Sequence, residues 1–372
     1  MMRSPHHSRD RRAHLVVDVS AHGFGHVAMT APVVNRLRER RPDLRVTLRS
    51  TAPPARLAEH FRAPFEHVSV SLDLGMAMND ALSVDADASY DYYRSLHGRW
   101  SEAVAGAAAD LEALSPSLLL GNIPYLSLAA AARIGVPSAA LCCLHWADIF
   151  RHYCHDRVDA AAIEGQIREA YRSATSFLAP APSMPMQGLG NVSGIGPIAR
   201  VGRNRAGELR RALGLPGDVR LALMSLGGFS FDVDVGRWPR LPGWRVLAGM
   251  SLKGEHPDVV AVDGLGLSYI DLLASVDAIV TKLGYGTVAE AAVNGRPVLY
   301  LPRDGWPEEP WLAQWLAEHG RCMSLPVAAL MLGAFVSTLN ALTALPAPRC
   351  PAPSGVEDAA VALHALLGAS HD

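Results

Sequence analysis

The chain has 372 residues, 49% hydrophobic and 19% charged, enough for two α/β domains that each bury a core and inconsistent with wholesale disorder. A formal net charge of −2 excludes a global field that would draw nucleic acid phosphates or an anionic membrane, and the arginines of residues 36–41 read as a solvated helix end. Five cysteines without CxxC spacing and an N-terminus lacking a long apolar core point to a reducing cytoplasm; no apolar run is long enough to span a membrane, and peripheral membrane contact stays open.

In chain order, an Arg- and His-rich tail (1–13) precedes a buried strand at 14–19, a glycine-bearing turn at 21–26 and a helix at 30–41 with Pro32 in its first turn. A second strand at 44–49, a helix at 101–114 and a strand at 117–120 follow, and the alternation continues through 128–134, 138–144 and a helix around 149–157. That alternation is the pattern of a doubly wound parallel sheet. Residues 180–197, rich in Pro, Gly and Ser, read as an interdomain crossing. A second α/β domain then restarts, with strands at 221–225, 245–248, 259–262, 278–281 and 298–301 and helices at 206–213, 270–275, 288–294 and 310–319. A Pro-rich stretch leads to a last helix at 355–367. The expected organisation is a tail (1–13), an N-terminal acceptor-side domain (14–190), a C-terminal donor-side domain (191–345) and a terminal segment (346–372). Two open sheets in tandem place a cleft at the carboxyl ends of their strands, so site residues are sought just after strands.

The run Lys282-Leu-Gly-Tyr-Gly-Thr-Val-Ala-Glu290 follows such a strand. Gly284 and Gly286 allow close backbone approach, and a helix starting near Thr287 offers unpaired N–H groups and a positive dipole end, a combination suited to a diphosphate. Lys282 adds charge, Thr287 either caps the helix or meets a phosphate, and Glu290 is placed to accept from ribose hydroxyls. On local pattern alone a plain structural turn serves equally well. Glu308 and Glu309, at the start of a later helix, are adjacent acceptors for vicinal sugar hydroxyls or a solvated first turn. In Ala21-His22-Gly23-Phe24-Gly25-His26 the glycines put a histidine over the cleft, where a near-neutral pKa suits a general base. His26 is the candidate and His22 the alternative. His145, His152, Cys154 and His155 lack a metal-ligand frame and read as surface side chains on one helix, so no metal site is expected.

Taken in order, Lys282–Glu290, Asn294-Gly-Arg-Pro297, Arg303-Asp-Gly-Trp-Pro-Glu-Glu-Pro-Trp-Leu312, the 21–26 loop, Asp80-Ala-Leu-Ser-Val-Asp85 and His145-Trp-Ala-Asp148 resemble the glycosyltransferase-like domain that precedes the kinase in plant L-arabinokinases. More distantly they resemble the peptidoglycan N-acetylglucosaminyltransferase and other inverting GT-B enzymes. The resemblance covers most of residues 14–320. It implies an α/β GT-B fold of two Rossmann-like domains and transfer from a UDP- or dTDP-sugar to an unidentified acceptor, with no cofactor beyond that donor and no metal. It also implies contacts from Gly284, Tyr285, Gly286 and Thr287 to the diphosphate, from Glu290 to the ribose and from Glu308 with Glu309 to the sugar. Gly227 and Gly228 match a phosphate-side loop, and the nucleobase edge falls near 267–270.

One departure bears on catalysis. Where such enzymes pair the base with an aspartate, this chain has Asn122, which can orient an imidazole but cannot balance the charge of an imidazolium. Asp148 is the substitute if its loop reaches the cleft. The alternative reading is a nucleotide-sugar-binding module that does not transfer. Residues 74–93 are expected to form an acceptor-side lid, or else a surface loop and helix start.

Overall fold

The computed structural model describes residues 12–20, 25–62, 64–79, 83–226, 233–249, 252–262, 265–303 and 305–369. The expected site residues His22, Gly227 and Gly228 lie outside them, as does Asp80.

Seven strands form the first sheet: β1 (His14–Val19), β2 (Arg45–Arg49), β3 (Glu66–Val68), β4 (Leu118–Asn122), β5 (Ser138–Leu141), β6 (Ser176–Pro180) and β7 (Val192–Ile195), in the order β3-β2-β1-β4-β5-β6-β7. Every pairing is parallel. All positions of β1, β4 and β5 are buried, as expected of parallel strands covered by helices on both faces. Six more strands, β8 (Arg220–Ser225), β9 (Trp244–Ala248), β10 (Val259–Ala261), β11 (Ala278–Lys282), β12 (Val298–Leu301) and β13 (Cys322–Ser324), make a second parallel sheet in the order β10-β9-β8-β11-β12-β13. The expected two-sheet, doubly wound α/β architecture is therefore present.

In each sheet the strand order reverses beside the first strand, between β1 and β4 and between β8 and β11. A crevice opens outside the carboxyl ends of the strands at such a switch point. In the first sheet it is bordered by Asn122, which is in register with Val19. In the second it is bordered by Ser225 and Lys282, which end β8 and β11.

Several elements differ from expectation. The first helix runs Gly25–Arg40, so it starts at the end of the glycine loop and carries Pro32 in its interior. Its apolar face, with Val27, Ala31, Val33, Val34 and Leu37 buried, outweighs the one backbone bond that a proline forfeits. The stretch read as a crossing contains β7, which extends the first sheet. The last helix, Gly355–Ala369, returns to the first half: Ala359, Ala360, Leu363 and Leu367 join its core, and Glu357 pairs with Arg36 and Arg40 of the first helix.

Candidate active site between the two sheets

His26 lies in the first turn of the Gly25–Arg40 helix, half-buried, and its neighbours fix its hydrogen-bonding state. Thr30 Oγ1 donates to the His26 carbonyl at 2.8 Å, so it accepts from Asn122 Nδ2, also at 2.8 Å. That orients the amide so that Asn122 Oδ1 faces His26 Nδ1 at 2.9 Å. Since an amide oxygen only accepts, Nδ1 carries the hydrogen and Nε2 keeps the lone pair of the neutral ring. Asn122 thus occupies the orienting position of a base-partner residue without its charge. Burial works against a charged ring here, but the Cys142 sulfur beside it, the Asn122 amide and the Asp73 carboxylate hold the pKa of His26 up at about 9. Burial alone would raise the Cys142 thiol; contacts from Cys143 and His26 bring it well below the usual thiol range.

Asp148 does not reach His26. It is buried at the start of the Trp146–Cys154 helix, 3.2 Å from His145 Nε2 and bonded to Arg168 Nη2. Burial would raise its pKa, but those two partners bring it down to about 2. The expected substitute for the missing aspartate is instead committed to a structural ion pair. The carboxylate near His26 is Asp73, which no local motif marks. Asp73 Oδ1 accepts from Ser20 Oγ and Oδ2 from Trp146 Nε1, both at 2.9 Å. The Trp146 ring lies 6.2 Å from the His26 ring, centroid to centroid. Among the described residues, no group of three His, Cys, Asp or Glu is arranged to hold a metal ion.

Across from the Gly25–Arg40 helix, the Tyr285–Val293 helix begins with Gly284 as N-cap, two residues earlier than the sequence predicts, so Thr287 lies inside its first turn. The first-turn N–H groups have no partners within the helix and aim its positive end outward. A cavity of about 750 Å³ runs between the halves here. Gly286, Thr287, Glu290, Ser225 and Tyr269 line one side, and Gly25 and Met29 the other. A Cβ built on Gly25 or Gly286 would meet nothing within 4 Å, so open space adjoins both helix starts. The Tyr269 hydroxyl lies against Ser225 and Thr287. Glu290 is buried and accepts from Arg200 Nε at 2.6 Å. Asn294 holds Arg200 in place through the Arg200 carbonyl and the Gly202 N–H, both at 2.9 Å.

The remaining candidates sit at the seam between the halves. Tyr285 also borders the cavity, but its hydroxyl is engaged within the protein: it accepts from Ile198 N at 2.9 Å and donates to the Ala181 carbonyl at 3.3 Å. Glu308 is buried, with Oε2 accepting from Trp306 Nε1 at 3.0 Å and Oε1 from Cys143 Sγ at 3.1 Å; burial pushes its pKa up. Glu309 accepts from the Arg303 backbone N–H at 3.0 Å. Lys282, one strand from Leu301 in register, is brought down to about 8 by burial and by Arg303. The structure therefore brings Tyr285, Gly286, Thr287 and Glu290 to one cavity wall and engages the Tyr285 hydroxyl, Glu308 and Glu309 in contacts within the protein. Sequence reasoning missed Asp73, Thr30 and Arg200; the last precedes by two residues a glycine whose Cβ would clash with the Ile270 carbonyl at 2.2 Å, a tertiary constraint with no local signature.

No family model matches the chain. It is 26% identical over 336 residues to the L-arabinokinase of Arabidopsis thaliana, covering 88% of this chain and 32% of that protein, so the chain spans about a third of the relative's length. Among solved structures, the glycosyltransferase of kitacinnamycin is similar with a TM-score of 0.62 at 17% identity, over 97% of this chain and 96% of that one. Glycosyltransferase VinC in complex with dTDP is similar with a TM-score of 0.57 at 18% identity, over 96% and 95%. The fold is the GT-B fold of these glycosyltransferases.

Proposed function

We propose that the protein is an inverting glycosyltransferase that binds a UDP- or dTDP-sugar between its two sheets and moves the sugar to an acceptor hydroxyl. The observation that carries this reading is the shared cavity: the N-terminal end of the Tyr285–Val293 helix and Glu290 face the start of the Gly25–Arg40 helix, one residue from His26. The diphosphate would lie on the Gly286 and Thr287 N–H groups, with Lys282 beside it, and the ribose against Glu290 once Arg200 shares or releases that carboxylate. The dTDP held by a protein of the same fold supports this class of donor. His26 Nε2 would take the proton from the acceptor hydroxyl as its oxygen attacks the anomeric carbon opposite the leaving diphosphate, which inverts the configuration. The helix end and Lys282 would stabilise the charge developing on the diphosphate. With its pKa at about 9, His26 is protonated at neutral pH, so transfer should accelerate as pH rises through that value.

Asn122 favours a second reading, a nucleotide-sugar-binding module without rapid transfer. The two separate in one experiment, in which the protein is incubated with a panel of nucleotide sugars and a cell extract and free UDP or dTDP is measured. Transfer predicts extract-dependent release that falls at least about a hundredfold in His26→Ala, with nucleotide binding retained. Binding without extract-dependent release favours the module. If no nucleotide raises the melting temperature and Glu290→Ala changes nothing, both readings are lost.

A further inference from the structure

We infer that Asp73 is the positioning carboxylate of the His26 base, supplying from the lid-side segment the charge that Asn122 does not. The inference rests on the transferase reading for its catalytic part and on geometry for the rest. Asn122 holds Nδ1–H at 2.9 Å and sets the tautomer, so one half of the usual partner's task is done by a neutral amide. The other half, balancing the imidazolium formed when Nε2 takes a proton, needs a nearby anion.

Asp73 meets that need: burial raises its carboxyl, and Ser20, the His26 ring and Trp146 pull it back toward the charged form. Ser20 Oγ holds one of its oxygens and Trp146 Nε1 the other, so the carboxylate cannot swing away. Both anchors belong to the histidine's surroundings: Ser20 N donates to the Asn122 carbonyl at 2.8 Å, and the Trp146 ring packs 6.2 Å from the His26 ring. Among the described residues, the other charged or titratable groups around this centre have partners or stay neutral. Asp18 is bound in bidentate fashion by Arg49, at 2.6 and 2.5 Å, and Asp148 is engaged by Arg168 and His145. The phenols of Tyr92, Tyr93, Tyr125 and Tyr171 are raised by burial and remain neutral. Among the described residues, Cys142, which faces the ring directly, is the other source of negative charge beside His26.

The sequence carries the same division in an unusual form. The orienting residue ends β4, whereas the charge comes from residue 73, between β3 and the Ala86–His97 helix.

The direct test is an NMR titration of the His26 ring, its resonance assigned by its loss in His26→Ala, in the full chain and in Asp73→Asn, Asp73→Glu and Asp73→Asn/Asn122→Asp. Asp73→Asn keeps the shape and removes the charge, its oxygen still accepting from Trp146 while its amide donates to Ser20; the His26 pKa should fall by about one unit, as expected for loss of a nearby opposite charge. Asp73→Glu should restore much of the shift, and the double variant should restore it fully by placing the charge at Nδ1. The same fall should appear in a Cys142→Ala background, which separates Asp73 from the thiol. In the transfer assay, the acid limb of the pH profile should move down by the same amount, and the rate on the high-pH plateau should drop by about tenfold or more. A nucleotide-induced rise in melting temperature equal to that of the unmodified chain checks that each variant folds. An unchanged His26 titration in Asp73→Asn, or no recovery in the double variant, overturns the inference. Absence of transfer in the unmodified chain would instead overturn the transferase reading, and the titration would still report whether Asp73 and His26 are coupled.

Discussion

A buried carboxylate engaged by an arginine and a histidine has little left to give a reacting histidine, and Asp148 is in that state. Its pKa of about 2 lies below the ordinary 3.8, held there against burial by His145 and Arg168. A depressed carboxylate contributes stability that is complete above the unfolded value and is lost as pH falls through the folded one, here between about 3.8 and 2. The shift corresponds to roughly 2 kcal/mol, and leaving Arg168 and His145 without their partner adds to the loss. Asp148→Asn should therefore lower the unfolding free energy at pH 7 by about 2–4 kcal/mol, with the gap to the unmodified chain narrowing toward pH 2. Urea denaturation at several pH values measures both. The acid limb of transfer should stay where it was, since Asp148 does not touch His26; a downward shift of that limb would return Asp148 to the catalytic group.

At the scale of elements, the proposed donor site depends on one helix start, and Gly286 tests it. The glycine sits in the first turn of the Tyr285–Val293 helix, and its missing Cβ faces open space. An alanine there should stabilise the apo protein by up to about 1 kcal/mol, because glycine is the poorer helix former. A leucine should fold as well but project into the cavity. The expected pattern is a melting temperature unchanged or raised in both variants, with the nucleotide-induced rise reduced in Gly286→Ala and abolished in Gly286→Leu. Full nucleotide binding by the leucine variant would move the diphosphate away from this helix. The strand, glycine turn and helix at 278–293 were legible in the sequence because apolar runs, Gly284 and Gly286 follow one another within a few residues. So were the buried central strands β1 and β8. The edges were not. In β3 and β7 no residue is fully buried, and such strands carry no apolar run to betray them. The His26–Asn122 pairing was only half legible. The sequence supplies both residues, but the bond between them exists because β1 and β4 are neighbours in register, and Asp73 enters from a loop whose position no periodicity encodes.

For the whole molecule, the question is why the last helix leaves the second half to end on the first. The chain crosses between the halves on the way out, after β7, and again on the way back, and the two crossings touch. The Gly355 N–H donates to the Pro197 carbonyl at 3.1 Å, Gly196 N donates to Asp358 Oδ2 at 3.0 Å, and a Cβ on Gly355 would lie 2.0 Å from the Gly196 carbonyl oxygen. Val356 also lines the cavity between the halves, so this helix fixes the wall that faces the donor-side helix as well as completing the first core. Burial of Leu363 and Leu367 alone is worth about 3–6 kcal/mol by transfer, an upper bound because the unfolded chain is itself partly collapsed. The exposed pairs of Glu357 with Arg36 and Arg40 add at most about 1 kcal/mol each. Three changes should therefore rank in cost. A chain ending at residue 345 should lose several kcal/mol and bind an apolar dye on the uncovered face of the Gly25–Arg40 helix. Gly355→Ala should cost about 1–3 kcal/mol, because two backbones must separate to admit a methyl group. Glu357→Gln should cost less than either and lose its effect in high salt. Because the shortened chain also lacks Val356, its affinity for nucleotide should fall together with its stability. A shortened chain that keeps the urea midpoint of the full one, or a Glu357→Gln cost as large as that of Gly355→Ala, would show that surface charge rather than close packing returns this helix to the first half.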